Sequence, residues 1–371
     1  MRVVFVLLTY APDAPAGIER SIAALVHGLR ATGHPAYVLT AGPPTDRDGT
    51  EILRLPHLTL PTPATEDDLL AALDRAPTVA DDVRHLLSTV DADVVCWVDA
   101  TWGLGFLAPH PGIPTALMVR VLRTDTYLHQ ALAHCPDRVL TNSEFLITKA
   151  TAAGLDTTGW QAVPNALLAP GSAPGSAARE QLRTRGPVRI VARAEPHKGI
   201  AELIDACPHA LDRDVDIVLA TAGFEYWPGM QHHVVADCRR RAAAHPRVRL
   251  VPDLPWRAVQ PFLAEAACTV IASTSPETFC NTALEALSVG TPVITFDLGH
   301  VPTLIGDAGT VVPTAAGAAG LWHAVNDLLA EPSGYHRASR KATGRASAHN
   351  PNLIAHRFLD ALAPAMARSS R

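Results

Sequence analysis

Residues 275–295 read SPETFCNTALEALSVGTPVIT and indicate a loop, a helix and the start of a strand. An apolar run at residues 269–272 comes directly before them and has the length of a buried strand. A polar loop with Glu277 follows, and a helical pattern then begins near Asn281 or Thr282 and ends at a Gly-Thr-Pro sequence. Because the first N–H groups of a helix lack partners within the helix, this unit can bind a phosphate without a metal ion.

Two carboxylates flank the predicted phosphate site. Glu277 lies on the loop, and Glu285 lies in the first turns of the helix. Carboxylates accept hydrogen bonds from hydroxyl groups, which a sugar and a ribose both carry. A nucleotide sugar therefore fits this arrangement. The alternative is that both side chains are solvated at the surface.

A second segment, residues 188–199 (VRIVARAEPHKG), combines a strand, a tight turn and two cations. Arg193 ends the predicted strand, and Lys198 opens the next helix. Negative charge grows on a diphosphate as it leaves, so an Arg and a Lys on one side of a cleft would stabilise it. Lys198 is one of only three lysines in a chain with 31 Lys and Arg residues, which favours a specific role over surface solvation.

Apolar runs of strand length alternate with helical patterns along the chain. This alternation predicts the α/β class, with parallel sheets covered by helices on both faces. The predicted strands are residues 3–8, 36–40, 94–98, 115–119, 138–141, 188–192, 217–220, 248–251, 269–272 and 292–296. Helical patterns cover residues 21–31, 202–211, 235–244 and 282–289.

Residues 166–186 are rich in Pro, Gly, Ser and Ala and divide the chain into similar halves. We interpret them as a linker between two doubly wound domains, residues 1–165 and 187–345, whose ligand-binding edges face a shared cleft. A chain of 371 residues is long enough for two such cores. Residues 346–371 contain an apolar helical stripe, and we expect a terminal helix that packs on the nearer domain or crosses back to the N-terminal one.

The composition indicates a globular enzyme without general affinity for polyanions. Apolar residues make up 48% and charged residues 18%, the formal net charge is -5 and the pI is about 6.4. These values argue against a disordered chain and against a nucleic-acid-binding surface. No apolar run reaches the roughly 18 to 20 residues that a membrane-spanning helix requires. We therefore expect a cytoplasmic protein with at most peripheral membrane contact, and the scattered cysteines show no zinc-like spacing.

Residues 275–295 resemble the signature of the retaining GT-B glycosyltransferases of family four. That pattern is Glu, seven residues, Glu, then Ala, a small-residue step and Gly-x-Pro-Val. The resemblance implies that Glu277 contacts hydroxyls of the donor sugar and that Glu285 binds the ribose. It also implies that backbone amides from Cys280 to Thr282 bind the diphosphate. Cys280 departs from the family, which usually has Gly at this position.

Two further segments resemble the same family. Residues 188–199 resemble its Gly-Arg-x-x-x-x-Lys-Gly pattern, with Ala in place of the first Gly, which implies that Arg193 and Lys198 bind the diphosphate. Residues 14–20 (APAGIER) resemble its Gly-Gly-x-Glu loop. Gly17 would then contact the donor phosphate from the N-terminal domain.

The N-terminal domain departs most from the family at residues 97–127. After the strand predicted at residues 115–119, the family commonly has a His, whereas this chain has Arg120. Arg120 could instead meet a phosphate or an anionic acceptor, because a guanidinium binds both. We assign Glu19, Asp99 and Arg120 to the acceptor side of the cleft.

The resemblance implies a GT-B fold and transfer of a sugar from a nucleotide diphosphate donor to a small-molecule or glycan acceptor, with retention of configuration. A UDP-sugar is the favoured donor and a GDP-sugar the second choice. The nucleotide sugar is a co-substrate, and we expect no metal ion and no other cofactor. The Ala- and Arg-rich composition suits a bacterium with a GC-rich genome that makes natural products or glycans. The predicted catalytic residues are Glu277, Arg193 and Lys198, and the predicted donor-binding residues are Gly17, Arg193, Lys198, Glu277, Phe279, Cys280, Asn281, Thr282 and Glu285.

Other functions fit parts of the sequence. The same scaffold supports nucleotide-sugar epimerases, sugar phosphorylases and non-catalytic modules that bind sugar nucleotides. Residues 103–108 match a dinucleotide-binding glycine pattern followed by Asp125, but Pro109 and Pro111 would interrupt the required helix. Residues 212–216 resemble a metal-binding Asp-x-Asp, but they precede their strand, which favours a surface turn.

Overall fold

Seven parallel strands form the sheet of the N-terminal half, in the order β3-β2-β1-β4-β5-β6-β7. The computed structural model describes residues 1–46, 48–108 and 112–369. The two prolines expected to interrupt a dinucleotide-binding helix, Pro109 and Pro111, lie outside these ranges. The strands are β1 (Val3–Val6), β2 (Ala36–Ala41), β3 (Ile52–Leu55), β4 (Val94–Val98), β5 (Thr115–Val119), β6 (Arg138–Thr141) and β7 (Gln161–Ala162). The helices are α1 (Gly17–Ala31), α2 (Glu66–Arg75), α3 (Val79–Thr89), α4 (Thr126–Ala133) and α5 (Glu144–Ala152).

The C-terminal half contains two three-stranded parallel sheets, β10-β9-β8 and β11-β12-β13. A parallel bridge between Val188 and Cys268 joins them edge to edge. The strands are β8 (Val188–Arg193), β9 (Val215–Ala220), β10 (Val248–Val251), β11 (Thr269–Ile271), β12 (Val293–Phe296) and β13 (Gly309–Val312). The helices are α6 (Ser176–Arg185), α7 (Ile200–Asp205), α8 (Met230–Ala242), α9 (Trp256–Ala264), α10 (Asn281–Ser288), α11 (Val301–Ile305), α12 (Gly317–Ala330), α13 (Pro332–Ser347) and α14 (Pro351–Ser369).

The central strands are buried on both faces. Every residue of β1 (VVFV) and β4 (VVCWV) is buried, so these strands read as continuous apolar runs and not as alternating ones. Helices cover both faces, and α1 buries Ile22, Leu25 and Leu29 against the sheet. The predicted α/β class with two doubly wound sheets is confirmed.

The order of strands reverses once in each half of the chain. In the N-terminal sheet the reversal lies between β1 and β4, and in the C-terminal half it lies between β8 and β11. Loops that follow neighbouring strands at a reversal diverge to opposite faces and leave a crevice at the carboxyl edge of the sheet. The loops after β1 and β8 and the loop after β11 therefore lie where a ligand is expected.

The segment interpreted as a linker is helical in its second half. Residues 166–175 are irregular, but Ser176–Arg185 forms α6. Arg179 on this helix is buried and donates hydrogen bonds to the carbonyl oxygens of Ala266 and Val289. Residues 176–185 contain several strong helix formers, which favour a helix here. The hydrogen bonds of Arg179 then hold this helix on the C-terminal domain.

The terminal helix α14 packs on the N-terminal domain. Phe358 lies 5.5 Å from Phe5 of β1 between ring centroids, and Arg138 Nε donates to the carbonyl oxygen of Ala361 at 3.1 Å. Gly28 of α1 permits this approach, because a Cβ at this position would lie 2.2 Å from the carbonyl oxygen of Pro351. No helix in the described ranges is long and apolar enough to cross a membrane.

Candidate active site

A cleft lies between the two halves at the reversal points of their sheets. Both halves contribute residues to it from several loops and helix starts. The N-terminal half contributes Gly17, Arg20, Arg120, Asn142 and Asn165, and the C-terminal half contributes Arg193, His197, Lys198, Ser273, Glu277, Thr278, Phe279, Cys280, Asn281 and Thr282.

Lys198 and Glu277 form an ion pair on the C-terminal wall. Lys198 Nζ lies 2.7 Å from Glu277 Oε1, and the hydroxyl of Ser273 donates to the same oxygen. Burial alone would raise the pKa of Glu277, but the charge and hydrogen bond of Lys198, the Ser273 hydroxyl and Arg193 together lower it below its ordinary value. Glu277 is therefore an ionised acceptor of hydrogen bonds at neutral pH.

Arg193 is held by Glu195, a carboxylate that the sequence analysis did not single out. Arg193 Nη2 lies 2.7 Å from Glu195 Oε1, and His197 Nε2 lies 3.2 Å from the other oxygen. The Glu195 side chain is only 2% exposed, whereas Arg193 is 29% exposed. Glu195 thus orients Arg193 from behind while the guanidinium faces the cleft. The sequence carried a signal for this pairing, because Glu195 lies between Arg193 and His197 in one predicted turn.

The start of α10 borders the cleft, and the Cys280 side chain at its N-cap position makes no capping hydrogen bond. Cys280 precedes the helix with φ 79 and ψ 85, a left-handed backbone conformation that residues other than Gly rarely adopt. This backbone explains why the related family uses Gly here. Burial raises the pKa of the Cys280 thiol to about 12, so the thiol stays neutral. Phe279 borders the cleft, but its ring is buried and stacks on His300 at 5.6 Å between centroids.

Glu285 does not line the open cleft. It lies on α10 with its carboxylate 3.2 Å from Arg20 Nε of α1, and the side chains are 7% and 11% exposed. Burial raises the pKa of Glu285, and the charge of Arg20 partly offsets the increase. The residue expected to bind the ribose thus forms an ion pair between the two halves in this structure.

A chain of amide side chains crosses the cleft beside this ion pair. Arg120 donates to Asn165 Oδ1 at 2.7 Å, and Asn165 Nδ2 donates to Asn281 Oδ1 at 2.8 Å. Asn281 Nδ2 in turn donates to the carbonyl oxygen of Gly17 at 2.6 Å. This network connects β5, the end of the N-terminal half, α10 and α1. Asn165 was not predicted as a site residue, because an Asn after a Pro is usual in a turn.

Two residues assigned to the acceptor side lie away from the cleft surface. Glu19 is buried and accepts a hydrogen bond from the Thr9 hydroxyl at 2.7 Å, and burial raises its pKa. Asp99 accepts hydrogen bonds from the backbone N–H groups of Thr101 and Trp102, and it borders a separate small recess. Of that group, only Arg120 lines the main cleft.

Within the described ranges, no group of three or more His, Cys, Asp or Glu residues could hold a metal ion. The three Asp residues of segment 212–216 form ion pairs. The expectation that all of them precede their strand is wrong for Asp216, because β9 begins at Val215. Asp216 lies 2.8 Å from Arg249 and 3.4 Å from Arg189. These arginines, on the neighbouring strands β8 and β10, stabilise the buried carboxylate of Asp216.

Residues 188–331 match the family model described as Glycosyl transferases group 1. The sequence is 31% identical over 189 residues to the alpha-maltose-1-phosphate synthase of Mycolicibacterium smegmatis, covering 48% of this chain and 46% of that protein. The match thus spans about half the length of that relative.

Two solved structures share the fold over almost their whole length. Sucrose-phosphate synthase from Thermosynechococcus elongatus superposes with a TM-score of 0.80 at 18% identity, covering 99% of each chain. The Anabaena protein HepE, in complex with UDP and glucose, superposes with a TM-score of 0.74 at 16% identity and covers 98% of this chain and 100% of its own. These likenesses identify the fold as GT-B.

Proposed function

This chain carries a glycosyl transferases group 1 domain on a GT-B fold, and on that premise we propose that it transfers a sugar from a nucleotide diphosphate to an acceptor with retention of configuration. The observation that carries the proposal is the meeting of Arg193, Lys198 and Glu277 with the start of α10 on one wall of the cleft. Cations and helix N–H groups stabilise a leaving diphosphate, while a carboxylate holds sugar hydroxyls.

Each group has a defined task in this proposal. The diphosphate binds to the N–H groups at the start of α10, to Arg193 and to Lys198. The ionised Glu277 accepts hydrogen bonds from the sugar and remains within reach of Lys198. As the bond between the sugar and the diphosphate breaks, positive charge develops on the sugar and negative charge on the leaving group. The fixed charges are already oriented for both, so little reorganisation is needed.

Glu285 has the ribose as its proposed partner. In the present structure its carboxylate contacts Arg20, and the two side chains are nearly buried. Glu285 could therefore bind the ribose in two ways. Either its carboxylate accepts hydrogen bonds from the ribose while it still contacts Arg20, or the ion pair with Arg20 separates first. A movement of the two halves would accomplish the second option, because Arg20 and Glu285 lie on different halves.

The favoured donor is a UDP-sugar, supported by the fold shared with HepE, which was solved with UDP and glucose. A GDP-sugar is the second choice. The acceptor is a small molecule or a glycan in bacterial biosynthesis. We also propose that transfer needs no divalent cation, because the cations and N–H groups of the protein supply the positive charge at the diphosphate.

A binding and turnover assay tests the proposal. Melting temperatures are measured with UDP-, GDP- and dTDP-sugars, and the stabilising donor is then incubated with panels of acceptors. NMR of the product anomer tests retention, and EDTA tests independence from metal ions. We expect a single preferred nucleotide, a product with the donor's anomeric configuration and an unchanged rate in EDTA. Donor conversion without an acceptor would indicate an epimerase, conversion only with free phosphate a phosphorylase, and an intact donor throughout a binding module.

Two lysine variants provide a matched comparison. Lys198→Ala should lower turnover by about 100- to 1000-fold, because one preorganised charge at the diphosphate is lost. Lys341→Ala is the control, since Lys341 is 58% exposed and pairs only with Asp307 on the surface. Equal turnover in both variants would refute the role of Lys198.

A further inference from the structure

Arg120 is a buried cation without a carboxylate partner. The residue is 4% exposed, follows β5 directly and borders the cleft. In the described part of the chain, no Asp or Glu forms an ion pair with its guanidinium, which donates to the neutral Asn165. Its Nε has no hydrogen-bond partner. Burying an ion without a counter-ion costs several kcal/mol, and an anion from outside the chain would offset this cost.

The charge of Arg120 persists at neutral pH. Burial lowers the pKa of Arg120 to about 10, which still leaves it protonated near pH 7. The nearby thiol of Cys96 does not neutralise it, because burial raises the pKa of that thiol and keeps it uncharged. The protein therefore presents a full positive charge at a buried position beside the cleft.

The other cations of Arg and Lys type on the cleft already have carboxylate partners. At each of these cations a diphosphate would compete with a carboxylate of the protein. At Arg120 it would meet no such competitor among the described residues. The pairs are Arg20 with Glu285, Arg193 with Glu195, and Lys198 with Glu277.

Arg120 also lies beside the start of α10. Its carbonyl oxygen accepts a hydrogen bond from the Thr278 hydroxyl at 2.9 Å, on the loop that leads into the helix. On the other side, Asn165 connects its guanidinium to Asn281, the first residue of α10. The backbone of Arg120 thus contacts the loop before α10, and its side chain is connected to the first residue of the helix, where N–H groups attract a phosphate.

We propose that Arg120 binds the diphosphate of the donor and supplies the positive charge of the N-terminal half to the leaving group. This inference rests on the proposed function, because it names a further residue of the same site. When the two halves close, the diphosphate lies between Arg193 and Lys198 on one wall and Arg120 on the other. Charge complementarity then links donor binding to closure of the cleft.

Calorimetric binding of UDP, inorganic pyrophosphate and uridine tests the inference with Arg120→Gln and Arg120→Lys. Gln removes the charge but keeps a polar side chain, and Lys retains the charge. We expect Arg120→Gln to weaken UDP and pyrophosphate by about 10- to 100-fold, the range for a hydrogen bond to a charged group. Arg120→Lys should recover part of the loss, and uridine should bind both variants as it binds the wild type. Arg84→Gln, on the surface of α3, serves as the control.

The outcomes separate the inference from the proposed function. Pyrophosphate binding that depends on Arg120, without binding of any nucleoside diphosphate, would support the inference and refute the nucleotide donor. Wild-type affinity of Arg120→Gln for both UDP and pyrophosphate would overturn the inference while leaving the donor site intact. A loss of affinity for UDP in Arg120→Gln without any loss for pyrophosphate would also overturn it, because the guanidinium would then contact the nucleoside and not the diphosphate. Failure of the wild type to bind either phosphate ligand would overturn both.

Discussion

The charge of Glu277 depends mainly on its neighbour Lys198. Burial opposes ionisation of its carboxyl, and Lys198 is the largest of the groups that reverse this effect. A carboxyl with a lowered pKa stabilises the fold above its unfolded pKa, and that stability is lost as the pH falls through the folded pKa. Without Lys198, we expect the effect of burial to be the larger one, so that the pKa of Glu277 would be raised instead of lowered.

Lys198→Met should therefore destabilise the protein increasingly as the pH rises from 4 to 8. At the acidic end Glu277 is protonated in the variant and needs no partner, whereas at neutral pH an unpaired buried carboxylate remains. Melting curves across this range, compared with Lys341→Met, measure the effect. A difference in melting temperature that stays constant with pH would contradict this account of the ion pair.

Helices α1 and α10 meet at the Arg20–Glu285 ion pair, which joins the two halves. Both side chains are nearly buried, so removing one leaves an uncompensated charge. We expect Arg20→Met to lower the free energy of unfolding by about 3 kcal/mol at pH 7.5, measured by urea denaturation.

The double variant Arg20→Met/Glu285→Gln tests the physical reason. It removes both charges, so it should recover at least half of the stability lost in Arg20→Met. Equal losses in the single and the double variant would show that the packing of Arg20, and not its charge, stabilises the contact between the helices.

At the scale of the whole molecule, α14 packs against α1 and β1, the first elements of the N-terminal half. The helix leaves the C-terminal half and buries Ile354, Phe358 and Leu362 against α1 and the first sheet. The two halves are thus connected twice, once through residues 166–175 and once through α14. This second connection restricts how far the cleft can open.

Phe358→Ala should cost about 3 to 5 kcal/mol of unfolding free energy, because the ring is fully buried against Phe5. Leu353→Ala on the same helix is the matched control, since Leu353 is 40% exposed and should change stability by less than about 0.5 kcal/mol. Urea denaturation measures both. Similar losses in the two variants would indicate a general effect on α14 and not the burial of Phe358.

Local patterns in the sequence were sufficient for most of the architecture. The predicted strands at residues 94–98, 115–119 and 138–141 coincide with β4, β5 and β6, because continuous apolar runs of this length have few other structures available. Strands β3, β7 and β13 were not predicted. β3 is only partly buried, β7 has two residues and β13 begins with Gly309, so none carries a strong apolar signal.

The sequence by itself determined the α/β alternation, the helix start that faces a phosphate, and the proximity of Arg193 to Lys198, which lie within one segment. Only the tertiary structure decided that Glu285 pairs with Arg20, that Arg120 has no carboxylate partner among the residues described, and that α14 packs on the N-terminal half. The physical reason is distance along the chain. Periodicity and residue type report local conformation, whereas these contacts depend on how two separately folded sheets pack against each other.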